Sequence, residues 1–198
     1  NYQGVIYYCF DRRLNHTDEV IKAGDDLHVG LDFNIEKMAA VVYVLREDLP
    51  RAVDELMKVF DTQAMIDKLK ARFPEHKVTI YPDASGDNRK TSSGSESDIA
   101  MLKKAGFAVV VNPSNPSVRD RINRMNSMLC TTFGERRLLV NTKKCPLFTQ
   151  GLERQIWNEK SEPDKKSGFD HGNDAGGYFI VKKWPITKRT AETQTFRM

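Results

Sequence analysis

Three aspartates in this 198-residue chain stand where metal-assisted phosphate chemistry would need them. Asp32 follows the apolar run Leu27-His28-Val29-Gly30-Leu31. Asp83 closes Val78-Thr79-Ile80-Tyr81-Pro82. Asp174 opens an apolar helical stretch after Asp170-His171-Gly172-Asn173. Two strand ends and a helix start can aim three carboxylates into one cleft, where they repel one another unless cations hold them. Hard divalent ions prefer oxygen ligands, and a pair of Mg2+ or Mn2+ ions can activate water and stabilise a leaving oxygen during phosphodiester hydrolysis. The pattern predicts Asp32 as the bridging ligand, Asp83 on one ion and Asp174 on the other. Asp170, four residues earlier, competes for the third place. His171 is placed to orient substrate, ligate a metal or assist proton transfer, and Asp87 is a candidate auxiliary ligand. Each acid alone also has a structural reading: a turn residue for Asp32, an Asx-turn for Asp83, a helix cap or first-turn acid for Asp174. Their joint order along the chain is what points to a metal site.

The elements that must position these acids follow from hydrophobic periodicity. Residues 27–33 read as a strand, with Gly30 allowing close backbone approach. Met38 to Leu45 is β-rich. Residues 51–60 fit a helix by spacing or a third antiparallel strand. Thr62 to Phe73 carries Met65, Ile66, Leu69 and Phe73 on one helical face and ends before Pro74. Lys77 to Tyr81 is the next strand, and residues 84–97 are a polar loop. Ser95 with Asp98 resembles a capping box for a helix through Ala105, stopped by Gly106. Phe107 to Val111 reads as a buried strand. After Asn115-Pro116-Ser117 comes a helix with Val118, Ile122, Met125 and Leu129 on one face and Arg119, Arg121 and Arg124 off it. Arg137 to Val140 and a piece near Cys145 suggest a hairpin, Leu147 to Trp157 a helix, and 174–184 a final helix. Three antiparallel strands followed by βα units predict an α/β, ribonuclease H-like fold: a mixed central sheet with helices on both faces. That topology favours the strand reading of 51–60 and makes the first strand central. Residues 1–25, which mix aromatics and charges without a period, read as a junction from an upstream domain. Residues 26–184 form the domain, and 185–198 a tail, disordered from Thr187 onward and available to a partner.

Composition sets the frame. Hydrophobic residues make 39% and charged residues 29%, as in a globular domain, and no apolar run approaches the roughly 20 residues that span a bilayer. Cys9, Cys130 and Cys145 form neither a CxxC pair nor a zinc spacing, which suits reduced thiols. The net charge of +4 is mildly basic, but Arg89, Lys90, Arg119, Arg121, Arg124, Lys143 and Lys144 are candidate contacts to an anionic partner such as DNA.

Val29-Gly30-Leu31-Asp32-Phe33-Asn34, Ile80-Tyr81-Pro82-Asp83-Ala84-Ser85-Gly86 and Asp170-His171-Gly172-Asn173-Asp174-Ala175 together resemble the C-terminal nuclease domain of the large terminase subunit of tailed double-stranded DNA phages. The likeness is to the headful-packaging, short-tailed type. In the third motif an Asp-His pair, two variable residues and Asp-Ala lead into a helix, which here carries Gly176 and Gly177. Cys9-Phe10-Asp11-Arg12-Arg13 looks like that family's junction between motor and nuclease. The resemblance implies an N-terminal packaging ATPase in the parent protein, whose GxxxxGK[ST] phosphate loop does not occur in this sequence. It implies an endonuclease that cuts concatemeric viral double-stranded DNA when packaging begins and when the head is full. It also implies the portal protein and the small terminase subunit as partners, action in the host cytoplasm at the procapsid portal, and no membrane. Sequence-loose cutting suits contacts to phosphates. The alternatives are another ribonuclease H-like nuclease, of junction-resolvase or transposase type, and a non-catalytic DNA- or partner-binding module.

Overall fold

The apolar run Met38–Val44 is buried on both of its faces, so it shows no alternation of polar and apolar residues. It belongs to the central part of a six-stranded sheet in a computed structural model that describes residues 4–34, 36–84, 96–112 and 114–186. The elements in chain order are β1 (Leu27–Asp32), β2 (Met38–Arg46), β3 (Leu49–Val59), α1 (Thr62–Arg72), β4 (Val78–Pro82), α2 (Asp98–Lys104), β5 (Ala108–Val109), α3 (Val118–Leu129), β6 (Leu139–Val140), α4 (Pro146–Arg154) and α5 (Asp170–Lys183). The strands lie in the order β5-β4-β1-β2-β3-β6. β1, β2 and β3 are antiparallel, while β4 runs parallel to β1, β5 to β4 and β6 to β3. This is the mixed ribonuclease H-like sheet expected, with β1 inside it and residues 51–60 largely strand.

Period-two alternation sorts the core into two layers. Ala40, Val42 and Val44 of β2 and Val29 and Leu31 of β1 join Met65, Ile66 and Leu69 of α1 and Ile99 and Leu102 of α2. Ala39, Val41 and Tyr43 face the other way, toward Ile122 and Met125 of α3, Phe148 and Leu152 of α4 and Phe179 and Ile180 of α5. Ile6, Tyr7 and Phe10 are buried in this second layer. Residues 4–25, expected as a junction without a period, thus contain no helix or named strand, yet they pack into the core. Main-chain bonds hold them: Ile6 N donates to Gln155 O (2.9 Å), and Val140 N to Asn15 O (2.7 Å).

Several local expectations are corrected. The cap of α2 is Ser97, whose hydroxyl accepts from Ala100 N; Ser95 lies outside the described residues. β5 is only two residues long. β6 extends the sheet beside β3 and makes no hairpin. α4 ends at Arg154, and its N-terminus has no side-chain cap of its own. Glu55 of β3 supplies one, accepting from Leu147 N (2.9 Å) and Phe148 N (2.8 Å). Glu55→Ala should therefore cost about 1–2 kcal/mol, the value of a lost helix cap, read as a lower urea midpoint at unchanged slope. An unchanged midpoint would mean that water replaces the carboxylate without loss.

Candidate metal-dependent active site

His28, Gly30 and Asp32 alternate onto the face of β1 that α5 covers. His28 stacks on Phe179 with ring centroids 5.0 Å apart. A Cβ on Gly30 would lie 2.0 Å from Ala175 O. Asp32 Oδ2 lies 3.1 Å from His171 Nδ1. The helix partners 171, 175 and 179 step by four residues, about 6 Å. The strand partners 32, 30 and 28 step by two, about 6.6 Å. The two repeats match, so a helix jammed onto a glycine carries His171 to the end of β1 in register. Gly176 and Gly177 serve the same close packing. A Cβ on Gly176 would meet Tyr43 Oη at 2.7 Å, and one on Gly177 would meet Arg121 Cγ at 2.6 Å.

Asp83 sits beside Asp32 because β4 is parallel to β1, with Leu31 opposite Pro82 and Asp83 N donating to Leu31 O (3.0 Å). α5 begins at Asp170, four residues earlier than expected, so Asp170 and Asp174 lie one turn apart on one helix. Asp32, Asp83 and Asp170 are 7%, 8% and 5% exposed. Burial pushes the Asp174 carboxyl above its ordinary pKa; the Arg121 guanidinium opposes that, and the charges of Asp32 and Asp170 add to it. Burial also raises the Tyr178 hydroxyl, which feels Arg121, Asp83, Asp174 and Asp32. The four acids thus share one neighbourhood.

Three of them are held by a protein donor. Asn115 Nδ2 donates to Asp83 Oδ1, and Asn115 Oδ1 accepts from Ala84 N (2.8 Å). His171 faces Asp32, whose hydrogen bond raises the imidazole's pKa against the opposing effect of burial. Arg121 donates to Asp174 Oδ1 at 2.7 Å. Asp170 differs: its buried Oδ1 has no hydrogen-bond partner among the described residues and lies 3.8 Å from His171 Nε2. Among the described residues, no three His, Cys, Asp or Glu side chains are already drawn together as a metal-ligand set. The donor chemistry nonetheless fits a hard divalent cation, since the acids offer carboxylate oxygens and one of these is buried and unsatisfied.

The basic candidates separate. Arg121 is not on a solvated face. It is 3% exposed, sits 4.8 Å from the Tyr178 ring centroid and reaches into the acids. α3 is covered on this side by α5, which a single-face reading of its periodicity missed. Arg119 is exposed and lines an open groove with Trp157, Lys160, Lys165 and Lys166. Arg124 donates to Pro185 O (2.7 Å). Lys143 pairs with Asp18 (2.9 Å), and Lys144 is exposed. Asp87, Arg89, Lys90 and the tail from Thr187 lie outside the described residues. The sequence reading missed two neighbours of the acids. Asn115 was visible only as a helix-entry residue before Pro116. Tyr7 lay in an aperiodic segment, and burial and the Asp174 charge raise its hydroxyl's pKa.

The terminase RNaseH-like domain family matches residues 29–183, a span that runs from within β1 to the end of α5 and contains all four acids. The chain belongs to this family. Among solved structures, the large terminase of a thermophilic bacteriophage is similar with a TM-score of 0.70 and 20% identity, over 90% of this chain and 44% of that one. The P22 large terminase nuclease domain has a TM-score of 0.67 and 18% identity, over 91% and 93% of the two chains. The large terminase nuclease domain of bacteriophage SPP1, with bound Mn, has a TM-score of 0.60 and 16% identity, over 90% and 98%. The chain thus spans less than half the length of the thermophilic phage's large terminase and nearly all of the two nuclease domains. These likenesses carry the ribonuclease H-like fold. No curated protein matches the chain.

Proposed function

We infer that this chain is the nuclease domain of a phage large terminase. It cuts concatemeric double-stranded DNA when packaging starts and, in a headful mode, again when the capsid is full. The single observation that carries the reading is the buried carboxylate cluster at the ends of β1 and β4 and on α5, in a chain of this family. Residues 1–25 lead from a packaging ATPase into the domain (26–184), whose core Ile6, Tyr7 and Phe10 join, and the tail (185–198) is the segment that meets a partner. The portal protein and the small subunit are the partners, and the host cytoplasm at the procapsid portal is the place. No helix among the described residues is long and apolar enough to cross a membrane.

Asp32, Asp83 and Asp174 would hold two Mg2+ or Mn2+ ions, with Asp170 reinforcing the Asp174 side. When bound, such ions lower the pKa of water and stabilise charge on the phosphoryl oxygens. The chain's own residues do the rest. β1 and β4 fix Asp32 and Asp83 at adjacent strand ends. His171, hydrogen-bonded to Asp32, keeps its proton to higher pH than a free imidazole and can hold it at the edge of the site. Asn115 fixes the rotamer of Asp83. Arg119 and the lysines of its groove offer phosphate contacts.

Supercoiled plasmid tests the reading. Nicking and linearisation are expected with Mg2+ or Mn2+ and none in EDTA. Absence of cleavage together with no metal-induced rise in melting temperature would point to a binding module, and preference for branched over linear duplex to a resolvase. Asn115→Ala should weaken metal binding on the order of 10-fold or more, as loss of a ligand's supporting hydrogen bond does. Because Asn115 is exposed, its melting temperature should hardly move. Unchanged affinity in metal titration would remove Asn115 from the site.

A further inference from the structure

The acids of this site are held by two side chains that can carry positive charge, His171 and Arg121, and Arg121 is a permanent cation. Its side chain is 4% exposed, and it donates through one terminal nitrogen to Asp174 Oδ1 at 2.7 Å. Its aliphatic stem passes over α5 at Gly177, where any Cβ would meet Cγ at 2.6 Å and Cδ at 2.7 Å. The guanidinium lies over Tyr178. Its buried Nε has no hydrogen-bond partner among the described residues. The fold therefore makes room for this cation without satisfying all of its donors. Burying a cation this way is costly unless a charge nearby needs it. That charge is the carboxylate cluster, where Asp174 is one helical turn from Asp170 and feels the charges of Asp170 and Asp32.

We propose that Arg121 is a built-in counter-cation for the acidic site, a positioning residue that pins Asp174 by one oxygen and neutralises the cluster before divalent ions arrive. The idea rests on the metal-site reading above. Asp174 has two oxygens; the guanidinium takes Oδ1 and leaves Oδ2 for a metal ion. The arrangement has two consequences. The domain can fold without metal, because Asp174 already has a fixed cation beside the other acids. The ion nearest Asp174 binds more weakly, because it shares its ligand with a fixed positive charge in a poorly screened setting. An empty site is then stable, and cutting waits for conditions that favour metal entry.

The test is the melting temperature of the 198-residue chain, and of its Arg121→Met variant, in EDTA and in a Mn2+ titration. In EDTA the variant should melt lower by on the order of 10 °C, since a half-buried acid beside two other acids loses its partner. Saturating Mn2+ should restore most of that loss, so the metal-induced rise is larger in the variant than in the wild type. Half-saturation should come at a roughly tenfold lower Mn2+ concentration. An equal loss with and without Mn2+ would overturn the proposal and leave Arg121 a packing residue. If Arg121→Met does not fold in EDTA, the double variant Arg121→Met/Asp174→Asn decides. It should regain most of the stability, because neither charge remains, and show a smaller Mn2+ response; a double variant as unstable as the single one would also overturn the proposal. A wild-type melting temperature that ignores Mn2+ would instead sink the metal-site reading itself.

Discussion

Asp32→Asn will abolish Mg2+- or Mn2+-dependent cleavage of duplex DNA, by on the order of 10³-fold or more, while the domain stays folded. Asp32 ends β1 with β4's Asp83 on one side and α5's acids and His171 above it. This position between the other acids makes it the bridging candidate. Asn has nearly the same shape, and its side-chain oxygen can still accept from His171, so the packing at 7% exposure survives. One buried negative charge disappears from a crowded cluster, and stability should hold or rise slightly. Plasmid cleavage rates and a melting curve read both halves. Activity within tenfold of wild type would remove Asp32 from the chemistry. Lost activity with a collapsed melting curve would make the loss a folding effect.

The second large effect belongs to a residue with no chemistry. Gly30→Ala places a Cβ 2.0 Å from Ala175 O and 3.0 Å from its carbonyl carbon. Both obstacles are main chain, so neither can rotate away, and α5 must lift off β1. Overpacking typically costs about 1–3 kcal/mol, and a rigid clash belongs at or above the top of that range. A loss of about 3 kcal/mol corresponds to roughly 6–12 °C in melting temperature for a domain this size. Because the contact at Gly30 sets the register in which His171 meets Asp32, activity should fall about 10²-fold even well below the melting point, as a displacement near 1 Å costs. An alanine variant with wild-type melting temperature and rate would mean that the helix can seat elsewhere.

Much of this was legible in the sequence, for identifiable reasons. Strands buried on both faces leave unbroken apolar runs, so β1, β2 and β4, with Asp32 and Asp83 at the ends of β1 and β4, stand out in the sequence. The start of α5 does not. Gly172 and Asn173 look like loop formers, yet a Cβ on Gly172 would lie 3.1 Å from Met57 Cε, and Asn173 is buried with its amide donating to Gln155 at 2.7 Å. Tertiary contacts keep these two residues helical against their local preference. Gly176 and Gly177, whose helix propensity is poor, let Tyr43, Phe148 and Arg121 approach the helix. Arg121 was read as surface because arginine usually is. Only the fold shows an acid waiting inside for it. The first 25 residues stayed opaque because their order comes from scattered hydrogen bonds and a few buried aromatics, which leave no period to read.

The most direct test of the account is anomalous diffraction from crystals of the domain soaked in Mn2+. It predicts two peaks, both bonded to Asp32, one also touching Asp83 and the other Asp174. Ordered Mn2+ elsewhere on the surface with none at Asp32, or a fully occupied soak with no peak among these carboxylates, would contradict it.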